Sequence, residues 1–361
     1  MPVIASAATA LPEHRYAQSE ITAAFSELIG QRHGRGGSAR SLSDVVARTH
    51  DATQVRSRHL VLSLAEYETL DDFGKANDVF LREAPPLAAR AVTEALDAAG
   101  FDAVDVDLIA STTVTGVAVP SIDARLVPIL GLRPNVRRLP LVGLGCVAGA
   151  SGIARVVDLL RGDPDAVAVL VSVELCSLTL QHSDTSMANI VASGLFGDGA
   201  AAVVLVGEQR AERMGLSGPR VLSSHAHIFE DTERVMGWDV GSSGLRVVLS
   251  PDVPRLVESE MNGVVAEHLR RHGLSTDDIS VWVAHSGGPK VLTALEDALR
   301  LPPSATQDTW ASLSEVGNLS SASVLDVLGR TLHRVPVGNE QHAMLVAMGP
   351  GFCAELVLLR W

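Results

Sequence analysis

Three residues, each set at or beside a glycine-containing turn, hold the chemistry that this chain offers. Cys146 lies in LPLVGLGCVAGASGIARVVDLL, where an apolar strand runs through a Gly-rich turn into a helix. A cysteine in such an elbow sits near a helix N-terminus, where unpaired N–H groups and the helix dipole favour the nucleophilic thiolate. Alone, the same pattern also fits a buried structural cysteine, the usual place of a free thiol. His285, in WVAHSGGPK, ends a buried strand before a Gly-Gly turn. Strand ends of α/β sheets form clefts there, although a satisfied core histidine is the alternative. Asn318, in LSEVGNLSSASVLDVL, follows a glycine and precedes small residues that open a helix, and by itself it reads as a turn or cap residue. Together the three supply a thiol nucleophile, an imidazole base and a neutral amide donor, the parts that thioester chemistry needs.

The elements that must position them follow an α/β pattern. Short apolar, β-branched runs at 107–112, 166–175, 200–207, 281–287 and 354–361 read as buried strands. Helical stretches lie at 89–99, closed by Gly100, and at 149–161 and 288–300. Strands alternating with helices predict a layered α/β fold. A weak internal repeat sharpens this: AAGFDAVDVDLIAST (98–112) aligns without gaps on RHGLSTDDISVWVAH (271–285), and DGAAAVVLVG (198–207) has a counterpart in GFCAELVLLRW (351–361). The spacing points to a duplicated α/β unit, with a junction in the polar stretch 207–220 and halves of 1–215 and 216–361 around one core. Gly30–Ser43, GQRHGRGGSARSLS, reads as a mobile loop.

Composition excludes other classes. The chain has 361 residues, 47% hydrophobic and 20% charged, with no biased tract, so it is neither disordered nor collagen-like. Its 42 acidic against 29 basic residues, a net charge of −13, argue against nucleic acid or an anionic membrane as partner, and require a local basic patch for any anionic substrate. Three scattered cysteines, Cys146, Cys176 and Cys353, with no CxxC pair, predict neither disulfide nor zinc site. The N-terminal stretch lacks a secretory pattern and no apolar run approaches the roughly 18–20 residues that cross a bilayer, so a cytoplasmic location is expected.

Six motifs in order resemble the type III polyketide synthases, the chalcone synthase-like branch of the thiolase superfamily, and within it actinobacterial members, mycobacterial ones especially. They are GCVAGA at Cys146, GLFGDGAAAV at Phe196, GWDVGSSGLRVVLSPDVP (237–254), AHSGGPKVL at His285, GNLSSASVL at Asn318, and GPGF (349–352). The resemblance covers about residue 50 to the end. It implies a thiolase-like fold of duplicated units in an αβαβα stack. Cys146 then carries the acyl chain, an imidazolium at His285 lowers the thiol pKa, and His285 with Asn318 binds the thioester carbonyl of malonyl-CoA during decarboxylation. Phe196 matches a gatekeeper, and Thr179, Cys176 and Ser320 match cavity-lining positions. Arg48 and Lys290 match coenzyme A positions at the tunnel mouth, whereas two further basic positions of plant members read Val45 and Ala52. Trp238 and Val247 stand where plant enzymes have Gly and Phe, so the cavity is reshaped. Val119 matches a position that reaches across a homodimer interface. No cofactor is implied, because the coenzyme A thioesters are substrates.

The resulting expectation is a fatty acyl starter extended with malonyl-CoA and closed to an alkylpyrone or alkylresorcinol. The rivals are a 3,5-dihydroxyphenylacetyl-CoA-type synthase using malonyl-CoA alone, an initiating ketoacyl-carrier-protein synthase, and a non-catalytic scaffold homologue.

Overall fold

The structure, a computed structural model, describes residues 1–33, 37–338 and 340–361, the side chains of 31–41 excepted. The strands are β1 (Val3–Ala10), β2 (His14–Ala17), β3 (Ser57–Leu60), β4 (Leu108–Thr112), β5 (Arg137–Leu141), β6 (Val167–Leu175), β7 (Asp198–Val206), β8 (Arg220–Ile228), β9 (Met236–Gly241), β10 (Gly244–Leu249), β11 (Ile279–Ala284), β12 (His342–Gly349) and β13 (Cys353–Arg360). The α-helices are α1 (Gln18–His33), α2 (Gly37–Asp51), α3 (Phe73–Ala99), α4 (Ile122–Leu130), α5 (Ala148–Gly162), α6 (Met187–Leu195), α7 (Glu208–Met214), α8 (Val253–Arg270), α9 (Pro289–Leu299), α10 (Gln307–Val316) and α11 (Ser323–Arg334).

Nine strands hydrogen-bond in the order β11-β12-β13-β8-β1-β7-β6-β4-β5. The two halves of this order mirror each other about the centre, β1-β7-β6-β4 against β8-β13-β12-β11, and the strand senses agree: β4 and β6 are parallel, as are β11 and β12, while the remaining neighbours within each half are antiparallel. The repeat seen in the sequence is therefore a repeat in space. Gly100 and Gly273 both take left-handed φ, at 72° and 69°, and each is followed by a capped turn (Asp102 with Asp105, Ser275 with Asp278) leading into β4 or β11. At the centre a single residue pair, Val3 with Arg220, joins β1 to β8.

Helices complete five layers. Side-chain alternation along β7 sends Ala200, Ala202 and Val204 to the outer face under α3, and Ala201, Val203 and Leu205 to the inner one. Along β12, Ala343, Leu345 and Ala347 face inward while Met344, Val346 and Met348 face outward, toward α8 and α9. The inner faces of both halves close on α5 and α11, through Ile153, Val156, Leu160, Val324, Val327 and Leu328. The result is the expected thiolase-like αβαβα stack.

Two local expectations change. The helix read at 89–99 extends back to Phe73, through Pro85 and Pro86, because Asp72 caps its start by accepting from the Lys75 amide at 3.0 Å and burial of Val79, Phe80, Ala84 and Leu87 outweighs the donor lost at each proline. The segment Gly30–Ser43, read as a loop, is largely helical: α1 runs to His33 and α2 starts at Gly37, with residues 34–36 outside the described ones. Leu42, Val45 and Val46 of α2, at helical spacing, pack on Phe25, Ile29 and Ile190, and this packing overrides a glycine-rich composition.

The inner layer depends on close approach at Gly149 of α5. A Cβ there lands 2.4 Å from the Ser321 carbonyl oxygen and 2.7 Å from Val324. Gly149→Ala is expected to destabilise the chain by about 1–3 kcal/mol through overpacking, read as a lowered denaturant midpoint at unchanged slope. Wild-type stability in that variant contradicts this view of the layer.

Candidate functional site

Cys146 occupies a single 3-10 turn, Gly145–Val147, that feeds α5. Gly145 holds φ of 57°, and a Cβ on it would lie 2.5 Å from the Pro350 ring, so only glycine lets the 349–352 loop close over the elbow. His285 follows β11 directly. Its amide donates to the Val346 carbonyl at 2.9 Å, which prolongs the β11–β12 register, and Gly288, at φ 124°, then turns the chain into α9. Asn318 follows the C-terminus of α10. Its amide donates to Leu195 O (2.9 Å) and its carbonyl accepts from Gly197 N (3.0 Å), so a short parallel bridge fixes it against Phe196.

These three residues converge. Cys146, His285, Asn318 and Ser320 line one cavity of about 50 Å³, together with Phe196, Trp238 and Val247. The same Phe196, Trp238 and Val247 also line a larger cavity of about 270 Å³, whose walls include Cys176, Thr179, Arg58, Tyr67 and Ser177. Three sequence candidates fall elsewhere: Val119 is 91% exposed, and Arg48 and Lys290 are exposed and line neither cavity. The Arg48 Nε donates to its own helix, to Asp44 O at 3.2 Å.

Burial governs the electrostatics of the site. Burial pushes the Cys146 thiol up to about 11, against a smaller downward pull from Ser320, whose Oγ lies 3.5 Å from Sγ. Burial also lowers His285 to about 4, so burial opposes both the thiolate and the imidazolium that the resemblance implies. His285 Nδ1 has no hydrogen-bond partner among the described residues. Asn318 is oriented: its Oδ1 accepts from the Ser320 amide (2.8 Å) and the Ser323 hydroxyl (3.2 Å), which leaves Nδ2 as the available donor. Ser320 itself holds φ of 51°, a left-handed conformation uncommon for serine and sited at the reacting centre. Cys176 is buried, and burial raises its thiol well above the ordinary range, which suits a wall rather than a nucleophile.

Sequence reasoning passed over several groups. Glu174 is wholly buried at the end of β6; it accepts from the Val114 amide (3.1 Å), the Thr115 hydroxyl (3.0 Å) and the Ser321 hydroxyl, and its charge bears on both Cys146 and Cys176. A lone acid in the apolar run VAVLVSVEL was its signal. Arg58 is also buried, with Nη1 donating to Phe196 O at 2.6 Å and Nε to Gln18 at 3.2 Å. Tyr67, Ser177 and Asp198 form a hydrogen-bonded chain beside the larger cavity. Among the described residues no group of three or more His, Cys, Asp or Glu is arranged to hold a metal ion, and no helix is long and apolar enough to cross a membrane.

A thiolase-like stack with a cysteine, a histidine and an asparagine on one buried cavity defines a class of enzyme that condenses acyl thioesters. The sequence matches the chalcone and stilbene synthases, in their N-terminal domain over residues 2–209 and in their C-terminal domain over 220–361, and the chain belongs to that family, the type III polyketide synthases. It is 50% identical to a 1,3,6,8-tetrahydroxynaphthalene synthase of Streptomyces peucetius subsp. caesius, over 99% of this chain and 93% of that one. It is 30% identical to the alpha-pyrone synthesis polyketide synthase-like Pks18 of Mycobacterium tuberculosis, over 78% of this chain and 71% of that one. The crystal structure of the 1,3,6,8-tetrahydroxynaphthalene synthase of Streptomyces coelicolor A3(2) superposes with a TM-score of 0.90 at 31% identity, covering 99% of each chain.

Glu174 supplies a pH test. Burial raises its carboxyl from 4.5 to about 7, so its contribution to stability is full below the unfolded value and is lost as pH rises through the folded one. Glu174→Gln stays neutral throughout. Between pH 5 and pH 8 the difference in unfolding free energy is expected to move in favour of the variant by roughly 3 kcal/mol, measured by denaturant titration. A difference independent of pH contradicts the raised value.

Proposed function

We propose that this enzyme assembles an aromatic polyketide of the tetrahydroxynaphthalene type on Cys146, from malonyl-CoA as both starter and extender. The observation that carries the reading is the convergence of Cys146, His285 and Asn318 on a small, mostly apolar cavity that shares one wall with a larger, partly polar one. In loading, the Cys146 sulfur attacks the thioester carbonyl, its proton passes to the neutral His285 and from there to the departing sulfur, and coenzyme A leaves as the thiol. In extension, the carbonyl oxygen of a second malonyl-CoA accepts from His285 and from Asn318 Nδ2. The bond to the carboxylate breaks, carbon dioxide leaves, and the electron pair moves into an enolate that these donors stabilise in a site closed to water. The enolate carbon then forms the new carbon–carbon bond at the Cys146 thioester, and the cysteine leaves to be reloaded.

Support for malonyl-CoA alone comes from the similarity to the Streptomyces peucetius synthase across nearly the whole chain and from the larger cavity. Naphthalene's ten carbons divide into five two-carbon units, and Arg58, Tyr67, Ser177 and Asn189 on the wall suit an oxygen-rich poly-β-keto chain. The fatty acyl starter expected from sequence is the second reading. The apolar side of the same cavity, Ile21, Phe25, Leu28 and Leu60, and the similarity to the mycobacterial alpha-pyrone enzyme favour it. A homodimer completed by Val119, and coenzyme A phosphates met at the surface by Arg48 and Lys290, belong to the same proposal.

Product analysis by mass spectrometry, with malonyl-CoA alone and with added short, long and aromatic acyl-CoAs, tests it. A tetrahydroxynaphthalene-type product without added starter is expected, and Cys146→Ala abolishes it. Products formed only when a fatty acyl-CoA is supplied overturn the starter assignment. Asn318→Ala is expected to slow malonyl-CoA decarboxylation by about 100-fold or more while Cys146 still accepts an acyl group; unchanged decarboxylation removes its role.

A further inference from the structure

The wall between the two cavities is not part of the main sheet. Trp238 and Val247 face each other across a separate two-stranded hairpin of β9 and β10, and each lines both cavities. An isolated hairpin has little stability of its own, so its place depends on ties to the body of the protein. One tie is a backbone bond from the Phe73 amide to Ser242 O at 3.3 Å. Another is a side chain that lines neither cavity. Gln181 is 5% exposed, and its Nε2 donates to Thr179 O (3.1 Å) on the wall of the larger cavity and to Ser243 O (3.3 Å) and Leu245 O (3.4 Å) in the hairpin. One amide nitrogen thus spans the cavity wall and the hairpin.

The clamp is itself held. Asn189 of α6, also buried, donates from Nδ2 to Gln181 O (2.9 Å) and to Asp184 O (2.7 Å), and its Oδ1 accepts from the Gln181 amide (3.4 Å). On the hairpin side Gly244 holds φ of 123°, and a Cβ there would lie 3.1 Å from Gln181 Nε2, so the approach requires glycine. Burial of the amide makes loss of its acceptors costly and the arrangement well determined.

We propose that Gln181 is a positioning residue for product length: by tying the β9–β10 hairpin to the wall at Thr179 it fixes Trp238 and Val247, and so the space open to the growing chain. The proposal rests on reading these cavities as the polyketide chamber. It places chain-length control in a residue that touches no substrate.

The test uses Gln181→Met, which keeps length without donors, and Gln181→Glu, which keeps shape but presents oxygens to three carbonyls. In both, amide hydrogen exchange is expected to quicken across residues 236–249, and the single wild-type product to give way to a mixture of chain lengths, while malonyl-CoA decarboxylation keeps its wild-type rate. In a background carrying both Trp238→Ala and Val247→Ala, Gln181→Met is expected to change the product mixture no further, because both groups through which it acts are gone. Wild-type exchange in the hairpin, a wild-type product, or an additive effect in that double background overturns the proposal, as does a parallel fall of decarboxylation and product, which marks a merely structural role. Absence of any polyketide from the wild-type enzyme overturns the functional reading as well, and is separable because the exchange measurement needs no turnover.

Discussion

The close approach of α5 and the start of α11 is the contact on which the rest of the molecule depends. Cys146 belongs to the first α/β unit, whereas His285 and Asn318 belong to the second, and the strands of the two units meet over a short stretch, where Val3 pairs with Arg220 and Ile4 and Val221 donate to Pro219 O and Pro2 O. The shared inner layer therefore has to bring the site together. Gly149 against the Ser321 carbonyl and Gly145 against the Pro350 ring are the places where the approach is too near for any side chain. They put the Cys146 sulfur 3.5 Å from the Ser320 hydroxyl, at the head of α11. Moving either unit separates nucleophile from oxyanion donors.

The same packing sets the electrostatics. A thiol at a helix N-terminus has a field that favours its anion, but burial works against every charge in the cavity and prevails at rest. In the proposed mechanism His285, its pKa lowered, takes the thiol proton at loading and donates to the oxyanion afterwards. Glu174 answers burial differently, with hydroxyl and amide donors gathered from 113–115 and Ser321 around its carboxyl.

Much of this was legible beforehand, and the reasons differ by residue. Cys146, His285 and Asn318 stood out because each sits where an apolar run is broken by glycine, and positive-φ glycines at 145, 288 and 317 are what those breaks prove to be. The duplication showed as two helix-Gly-acidic turn-strand segments, which occupy matching places in the mirrored sheet order. Helix α2 was misread because its glycines and serines are counted locally, while its partners Phe25 and Ile190 are distant in sequence. Arg58, Glu174 and Gln181 escaped for a related reason: each has partners 40 or more residues away, and of the three only Glu174, a lone acid in an apolar run, carried a local signal. Trp238 and Val247, read as reshaping a pocket, pair across the hairpin and line both cavities.

Intact-protein mass spectrometry during a brief incubation with malonyl-CoA alone tests the central claim most directly. The account predicts a ladder of adducts confined to Cys146, beginning with a malonyl-derived acyl group and spaced by one ketide unit, with no added starter. Adducts on another cysteine, or an unmodified protein until a fatty acyl-CoA is supplied, would contradict it.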